Sequence, residues 1–343
     1  MELETHGERP VFVLGCARSG TTLLQLMLHS HPRIAVPPET RFVQYAYRRR
    51  RQYGDLREAA ARERLARWIT TRTDTRFHHL KLDTETTIQE IVAGPPTLGS
   101  AIATVFQGYA RRFDKPRWGD KRPAYFMHIP ELLRMFPNAQ FVHIIRDGRD
   151  CVGSMKQMPW FTWSSYTAMS IWGEAINYGR WAQRRYGSHV VHQLRYEDLI
   201  ADPDVELRAL CGFLGEDFAP QMCEPHRIAD TAVPKKKTWH ANTRKELTNT
   251  ASGAWQQRLE PWEIELCEHV LGSRLRANGY ELTGASRPEP QHLEAYTKRM
   301  RRRRKEQRIH RAKDLLRRFR EPTPEVANQL EAPRPTPVEE RTD

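Results

Sequence analysis

The stretch that decides the fold is Pro10-Val-Phe-Val-Leu-Gly-Cys-Ala-Arg-Ser-Gly-Thr-Thr22. Its first half is a short apolar run that stops at a glycine, which is typical of a buried parallel strand. The next residues, Leu23-Leu-Gln-Leu-Met-Leu28, open a helix, and Pro32 ends it because proline cannot continue a helix. The chain therefore starts with a strand, a glycine-bounded loop and a helix.

Similar apolar runs recur further along the chain. Residues 141–145 and 189–196 have the composition of buried strands. Helical patterns lie between and after them, at residues 98–113, 129–136, 150 onward, 160–181 and 202–214. Alternating strands and helices are typical of a parallel sheet covered on both faces. We therefore predict an α/β fold with a central parallel sheet flanked by helices.

The loop after the first strand has the spacing of a phosphate-binding P-loop, Gly15-x-x-x-x-Gly20-Thr-Thr. In such a loop, backbone N–H groups and the helix N-terminus bind a phosphate. A nucleoside triphosphatase carries lysine directly after the second glycine, whereas this chain has Thr21 there and Arg18 as the only cation of the loop. The sheet is therefore predicted to be P-loop-like, and the loop suits a donor without a triphosphate. The alternative is an ordinary strand-to-helix turn with two glycines.

A second motif, Arg146-Asp-Gly-Arg-Asp-x-x-x-Ser154, follows the strand predicted at residues 141–145. Arg146 ends that strand at the carboxyl edge of the sheet, where open α/β sheets bind ligands. Ser154 lies about one turn into the next helix, so a guanidinium and a hydroxyl would hold a second phosphate. The alternative is an ion pair from Arg146 to Asp147 or Asp150 that only closes the turn.

Together, these two motifs resemble those of sulfotransferases that use 3′-phosphoadenosine 5′-phosphosulfate (PAPS). Gly15-Cys-Ala-Arg-Ser-Gly-Thr-Thr-Leu-Leu24 resembles their 5′-phosphosulfate loop, and Val142-His-Ile-Ile-Arg-Asp-Gly-Arg-Asp-x-x-x-Ser154 resembles their 3′-phosphate motif. The order, the separation of roughly 130 residues and the intervening Gly119-Asp-Lys-Arg-Pro123 also fit. The resemblance covers about residues 10–284 and is nearest to the bacterial and Golgi branch, which includes the tyrosylprotein sulfotransferases.

The resemblance implies which residues bind the donor. The 5′-phosphosulfate would be bound by Arg18, Ser19, Gly20, Thr21 and Thr22. The 3′-phosphate would be bound by Arg146 and Ser154. Tyr196 would lie near the adenine, although a tyrosine at a strand end is also an ordinary core residue. A late loop would contribute Arg244 and Lys245.

The same resemblance implies a general base and two catalytic cations. Pro38-Glu-Thr-Arg41 resembles the segment of tyrosylprotein sulfotransferases whose glutamate is the base, so Glu39 is the candidate here. Lys121 and Arg18 would stabilise charge on the bridging oxygen as the donor bond breaks. The alternatives are a solvated carboxylate at Glu39 and an ion pair between Lys121 and Asp120.

The positive charge is concentrated near the C-terminus. The 343 residues carry a net charge of +13, and residues 298–320 alone carry +11. In this run, Ile309, Ala312, Leu316 and Phe319 recur at helical spacing, which predicts a basic amphipathic helix. The helix would lie on an anionic membrane surface or a polyanionic partner, or it is part of a solvated tail. We predict a sulfotransferase domain over residues 1–284 and a basic, partly disordered C-terminal extension over 285–343.

Features of the composition indicate in which cellular compartment the protein functions. The five cysteines are scattered, the N-terminus is polar and acidic, and no apolar run reaches the roughly 20 residues of a membrane-spanning helix. These features predict a cytoplasmic, bacterial enzyme. Peripheral membrane association through residues 298–320 is a further hypothesis.

The predicted reaction moves a sulfuryl group from PAPS to a hydroxyl of a carbohydrate, lipid or small-molecule acceptor and releases adenosine 3′,5′-bisphosphate. No metal is expected to take part. Three alternatives stay open: a protein-tyrosine sulfotransferase, a P-loop kinase, and a nucleic-acid-binding protein that uses the basic run. The aromatic stretch Trp160-Phe-Thr-Trp163 borders an acceptor cleft or belongs to the core, so the sequence identifies neither the acceptor nor the oligomeric state.

Overall fold

Five parallel strands form the centre of the molecule. The computed structural model describes residues 9–228 and 252–319. The strands are β1 (Val11–Gly15), β2 (Ile34–Ala35), β3 (Arg117–Lys121), β4 (Gln140–Ile145) and β5 (Val191–Arg195). Their order across the sheet is β2-β3-β1-β4-β5, and every neighbouring pair is parallel. The predicted α/β fold with a P-loop-like parallel sheet is confirmed.

The order of the strands creates a crevice at the carboxyl end of β1. From β1 the chain moves to β2 and β3 on one side, and then crosses to β4 and β5 on the other. Such a switch of direction separates the connections on the two sides, and ligands bind in the resulting crevice. The fold therefore places a binding site where the glycine-bounded loop leaves β1.

Helices cover both faces of the sheet. They are α1 (Thr21–Ser30), α2 (Phe42–Arg49), α3 (Ala59–Thr71), α4 (Thr84–Ala93), α5 (Leu98–Arg111), α6 (Ile129–Met135), α7 (Gly148–Lys156), α8 (Ser165–Tyr186), α9 (Tyr196–Ala201), α10 (Pro203–Leu214), α11 (Trp255–Arg258), α12 (Pro261–Arg276) and α13 (Pro290–Phe319). Short 3₁₀ turns lie at Arg50–Gln52, Thr73–Thr75, Phe77–Leu80, Pro123–Met127, Pro220–Cys223 and Pro225–Ile228. Within the described ranges, no helix is both long enough and apolar enough to span a membrane.

Alternate side chains of β1 point into two separate cores. Phe12 and Leu14 join the larger core, which is built with α2 to α8, α11 and α12. Val11 and Val13 join the smaller core, which is built with α1, α9 and α10. All five β1 residues are buried, as expected for a strand covered on both faces.

The predicted elements recur with shifted ends, and two strands were not predicted. The third predicted strand ends at Arg195 because Tyr196 already begins α9. The short β2 and the polar β3, Arg117-Trp-Gly-Asp-Lys121, carry no apolar run that would mark them as strands. Strand β3 forms because it pairs with β1 and β2 and is buried along its whole length.

The basic stretch near the C-terminus is helical, as predicted. Helix α13 starts at Pro290, eight residues before the predicted start, and continues to Phe319. It packs along α8, with which it shares an ion pair between Arg303 and Glu174 (2.7 Å). The appended helix is thus attached to the body of the protein.

Candidate active site

Residues predicted from separate motifs meet at one edge of the sheet. Gly15 ends β1, Lys121 ends β3, Arg146 follows β4, and Tyr196 follows β5. Since parallel strands have their carboxyl ends at the same edge, these residues surround the crevice at β1. The tertiary structure therefore brings both predicted phosphate motifs to a single site.

The glycine-bounded loop is shaped by backbone conformations that few residues adopt. Gly20 is the N-cap of α1 with φ 98°, and a Cβ there would lie 2.5 Å from a ring carbon of Tyr196. Arg18 also has a positive φ of 72°. The Ser19 hydroxyl donates a hydrogen bond to the carbonyl of Cys16 (2.7 Å), so its visible role is to close the loop. A direct contact from Ser19 to a phosphate stays a prediction.

Arg18 connects the two predicted phosphate subsites. Its Nε donates a hydrogen bond to the Oγ of Ser154 (3.0 Å), which lies in the second turn of α7. Arg146 Nη1 donates to the carbonyl oxygen of Arg18 (3.1 Å). Thr21 and Thr22, at the first turn of α1, are buried beside them. The loop, Arg146 and α7 therefore form one hydrogen-bonded unit.

A third arginine, Arg258, which we did not predict from the sequence, lies close enough to Arg18 to affect its pKa. Burial lowers the pKa of Arg18, and the nearby positive charges of Arg146 and Arg258 lower it further. Arg258 ends α11, more than a hundred residues beyond Ser154. Three guanidinium groups this close repel one another, and an anion with several charges would relieve that repulsion. The predicted loop residues Arg244 and Lys245 lie outside the described residues.

Asp150 holds the segment that carries Arg258. Its carboxylate accepts hydrogen bonds from the backbone N–H groups of Gly253 (2.9 Å) and Trp255 (2.9 Å). It also forms an ion pair with Arg146 at 3.6 Å. The turn-closing ion pair considered from the sequence is thus present, and Asp150 in addition attaches the approach to α11 to the start of α7.

Tyr196 lies underneath the loop. Its ring contacts Gly20, and the guanidinium carbon of Arg146 lies 4.7 Å from the ring centroid. Burial raises the pKa of its hydroxyl, and the side chain is only 8 % exposed. The visible role of Tyr196 is to support Gly20 and orient Arg146, and its contact with an adenine stays a prediction.

The predicted base and the predicted catalytic lysine are in contact. Lys121 Nζ lies 3.4 Å from Glu39 Oε2 and 3.5 Å from the hydroxyl oxygen of Thr22. The other oxygen of Glu39 lies 3.4 Å from a guanidinium nitrogen of Arg76, a residue that the sequence did not single out. The Glu39 side chain is 23 % exposed, so it faces the crevice and is not a freely solvated loop carboxylate.

Asp120, the alternative ion-pair partner of Lys121, contacts the backbone of Lys121 and not its ammonium group. Asp120 accepts a hydrogen bond from the backbone N–H of Lys121 (2.9 Å) and another from the hydroxyl of Tyr125. Complete burial raises the pKa of Asp120 to about 6, although the hydrogen bond from Tyr125 opposes the shift. Asp120 therefore supports the end of β3, while the ammonium group of Lys121 extends toward Glu39.

Comparison with known proteins identifies the family. The model of the sulfotransferase family matches residues 10–220, which is more than half of the chain. The chain belongs to the sulfotransferase family. It is 28% identical over 212 residues to a protein-tyrosine sulfotransferase of Drosophila melanogaster, covering 60% of this chain and 37% of that protein. It is 26% identical over 212 residues to protein-tyrosine sulfotransferase 2 of Gallus gallus, covering 60% and 50%.

The chain thus spans half or less of the length of these two curated relatives. Among solved structures, it is similar to the sulfotransferase domain of the olefin synthase of Synechococcus PCC 7002. That similarity has a TM-score of 0.55 at 23% identity and covers 80% of this chain and 97% of that domain. It concerns the fold, and it agrees with the parallel sheet described above.

The aromatic stretch after α7 divides between core and surface. Phe161 is buried, whereas Trp160 and Trp163 are 41 % and 55 % exposed. Further along, Trp172 is buried and its indole N–H donates to the carbonyl of Arg146 (2.8 Å). Within this stretch, Phe161 is therefore a core residue, and Trp160 and Trp163 are surface residues.

Proposed function

We propose that this protein transfers a sulfuryl group from PAPS to an acceptor hydroxyl. The observation that carries the proposal is the position of Lys121, whose ammonium group bridges Glu39 and Thr22. This contact places a carboxylate base and a cation beside the loop that would hold the 5′-phosphosulfate. Base, cation and phosphate loop are the parts that such a displacement requires.

The residues of the crevice fit the donor by charge. PAPS carries a 5′-phosphosulfate and a separate 3′-phosphate, and both are anionic. Arg146 and Arg258 are close enough to Arg18 to add to the lowering of its pKa by burial, so a polyanion would relieve the repulsion among the three groups. The hydroxyl of Ser154 accepts from Arg18 and keeps its own proton to donate to a phosphate oxygen.

In the proposed reaction, Glu39 accepts the proton of the acceptor hydroxyl. The acceptor oxygen forms a bond to sulfur, and the bond between sulfur and the 5′-phosphate oxygen breaks. The electron pair of that bond stays on the 5′-phosphate, where Lys121 and Arg18 stabilise the added charge. The products are the sulfated acceptor and adenosine 3′,5′-bisphosphate.

Positively charged residues around Glu39 favour an acceptor that carries a negative charge. Burial lowers the pKa of Arg76, and the charges of Arg41 and Arg122 lower it further, while Glu39 opposes them. Among the described residues, the buried Nε of Arg41 and Nη1 of Arg122 have no hydrogen-bond partner. The positive charges of Arg41, Arg76 and Arg122 would attract an acceptor that carries a negative charge near its hydroxyl.

Two classes of acceptor fit the positively charged surroundings of Glu39. The first is a carbohydrate, lipid or small molecule, the class predicted from the sequence, here with a negative charge near its hydroxyl. A tyrosine flanked by acidic residues is the second, and it is favoured by the relatives named as protein-tyrosine sulfotransferases. A screen with sulfur-labelled PAPS against sulfatable sugars, phenols, lipids and acidic tyrosine peptides separates the two classes.

The test of the proposed reaction uses Glu39→Gln. Loss of the base should lower kcat by about 10²- to 10⁴-fold while the affinity for adenosine 3′,5′-bisphosphate, measured by calorimetry, stays unchanged. Glu90→Gln, which changes an exposed carboxylate paired with Arg111, serves as the matched control. Near-normal turnover in Glu39→Gln would exclude Glu39 as the base, and failure of the wild type to bind the bisphosphate would exclude the donor.

A further inference from the structure

From Arg303 onward, helix α13 is attached to the body through charged and polar side chains. Arg303 pairs with the buried Glu174 of α8, and Asp314 pairs with Arg50 at 3.2 Å. Arg311 donates to the hydroxyl of Tyr178. In this part of α13, the face that lies against the protein is therefore formed by polar groups, whereas Leu293 and Tyr296 in its first half pack against the larger core.

The apolar residues in the second half of α13 face the solvent instead. Successive residues of a helix are rotated by about 100°, so residues three and four apart share a face. Ile309, Leu316 and Phe319 follow this spacing on the side away from Arg303 and Asp314. They are 45 %, 61 % and 81 % exposed, and the neighbouring Leu315 is 55 % exposed. The seam predicted from the sequence is present, and within the described residues nothing covers it.

The charges on the same side of α13 are positive. Lys298, Arg301, Lys305 and Arg308 are exposed and precede the apolar seam. The two acids of residues 298–319 are both engaged, since Glu306 pairs with Arg302 (3.0 Å) and Asp314 is buried against Arg50. The outward face therefore combines a cationic first half with an apolar second half.

We propose that the outward face of α13 binds the surface of an anionic phospholipid membrane. The lysines and arginines would contact the headgroups, and Ile309, Leu316 and Phe319 would enter the boundary between headgroups and acyl chains. Trp181 of α8 is 38 % exposed and lines the groove beside Leu315, so it would reach the same interface. Among residues 9–228 and 252–319, the fold holds α13 on the body and leaves this face open.

A nucleic acid is the less suitable partner for this surface. Phosphate backbones are bound by cations and gain little from a row of exposed aliphatic side chains. Ile309, Leu315 and Leu316 supply aliphatic surface in addition to charge. Membrane binding uses both properties, which is why the observations favour a lipid surface.

The test is vesicle flotation with the full chain. We expect binding to vesicles of phosphatidylcholine mixed with phosphatidylglycerol and little binding to phosphatidylcholine alone. The double variant Leu316→Glu/Phe319→Glu should weaken binding at least ~10-fold, since it removes the apolar contacts. Arg301→Glu/Arg308→Glu should weaken it as well, and more strongly at low salt than at high salt. Val205→Glu, at another exposed apolar residue, is the matched control and should bind like the wild type.

Three results would overturn the proposal. They are unchanged flotation of Leu316→Glu/Phe319→Glu, tighter binding to double-stranded DNA than to anionic vesicles, and dimerisation in ultracentrifugation that this variant abolishes. Thermal melting confirms that the variants are folded. Since none of the changed residues lies in the crevice, the result is independent of the proposed sulfuryl transfer.

Discussion

Arg18 Nε donates a hydrogen bond to Ser154 Oγ over 3.0 Å and so joins two motifs that are 136 residues apart. The first motif would bind the 5′-phosphosulfate and the second the 3′-phosphate. Because the hydroxyl orients the guanidinium, a change in the 3′ subsite should also disturb the 5′ subsite.

Ser154→Ala should therefore weaken binding of adenosine 3′,5′-bisphosphate. The loss combines a buried hydrogen bond to a charged group with a phosphate contact, so we expect the Kd to rise about 10- to 100-fold. Calorimetry measures it. Ser154→Thr keeps the hydroxyl and should retain most of the affinity, and Ser273→Ala, at an exposed serine of α12, should have no effect. Equal affinities for Ser154→Ala and the wild type would contradict this role.

Gly20→Ala should disrupt the loop. The residue has φ 98°, and its new Cβ would lie 2.5 Å from the ring of Tyr196. We expect a loss of about 1–3 kcal/mol in the free energy of unfolding and loss of bisphosphate binding. Gly212→Ala in α10 meets nothing within 4 Å and should instead stabilise the protein by about 0.5–1 kcal/mol. Chemical denaturation of both variants checks this contrast.

Arg258→Met should weaken donor binding without lowering the stability of the protein. Removing one of three neighbouring cations relieves repulsion on Arg18, so the protein without donor should be as stable as the wild type or more stable. The Kd for adenosine 3′,5′-bisphosphate should nevertheless rise about 10-fold, since a charge-assisted contact is lost. Arg276→Met, at an exposed arginine of α12, is the control. An unchanged Kd would place Arg258 outside the donor site.

Acid should destabilise the protein through buried histidines. Burial lowers the pKa of His143 to about 4, and neither ring nitrogen has a hydrogen-bond partner among the described residues. Burial also lowers the pKa of His29 to about 3. The unfolded chain binds these protons near pH 6.5, so stability is lost as the pH falls below that value.

For His143 alone the loss should reach about 2 kcal/mol at pH 5. His143→Leu should reduce the difference in unfolding free energy between pH 7 and pH 5 by that amount. His189→Gln, at an exposed histidine, should leave the difference unchanged. The same pH dependence in His143→Leu and the wild type would show that other groups cause the acid destabilisation.

The local sequence was sufficient to predict the elements that have a distinctive composition or spacing. The apolar runs of β1 and β4 mark buried strands, and Gly15-x-x-x-x-Gly20 marks the loop between β1 and α1. Strand β3 was missed because its sequence is polar and contains a glycine. It is a strand through its partners, and Arg117 is buried in it only because Glu216 (3.1 Å), Gln140 and a backbone carbonyl of α10 satisfy its guanidinium.

By itself, the sequence determined the α/β class, the phosphate loop and the residues of both motifs, because strand periodicity and glycine spacing are local properties. Only the tertiary structure decided that Arg18 contacts Ser154, that Lys121 contacts Glu39, and that Arg258 lies near both phosphate motifs. It also decided that α13 turns its apolar seam to the solvent. These contacts join residues far apart in the chain, and they depend on how strands and helices pack, which no local pattern encodes.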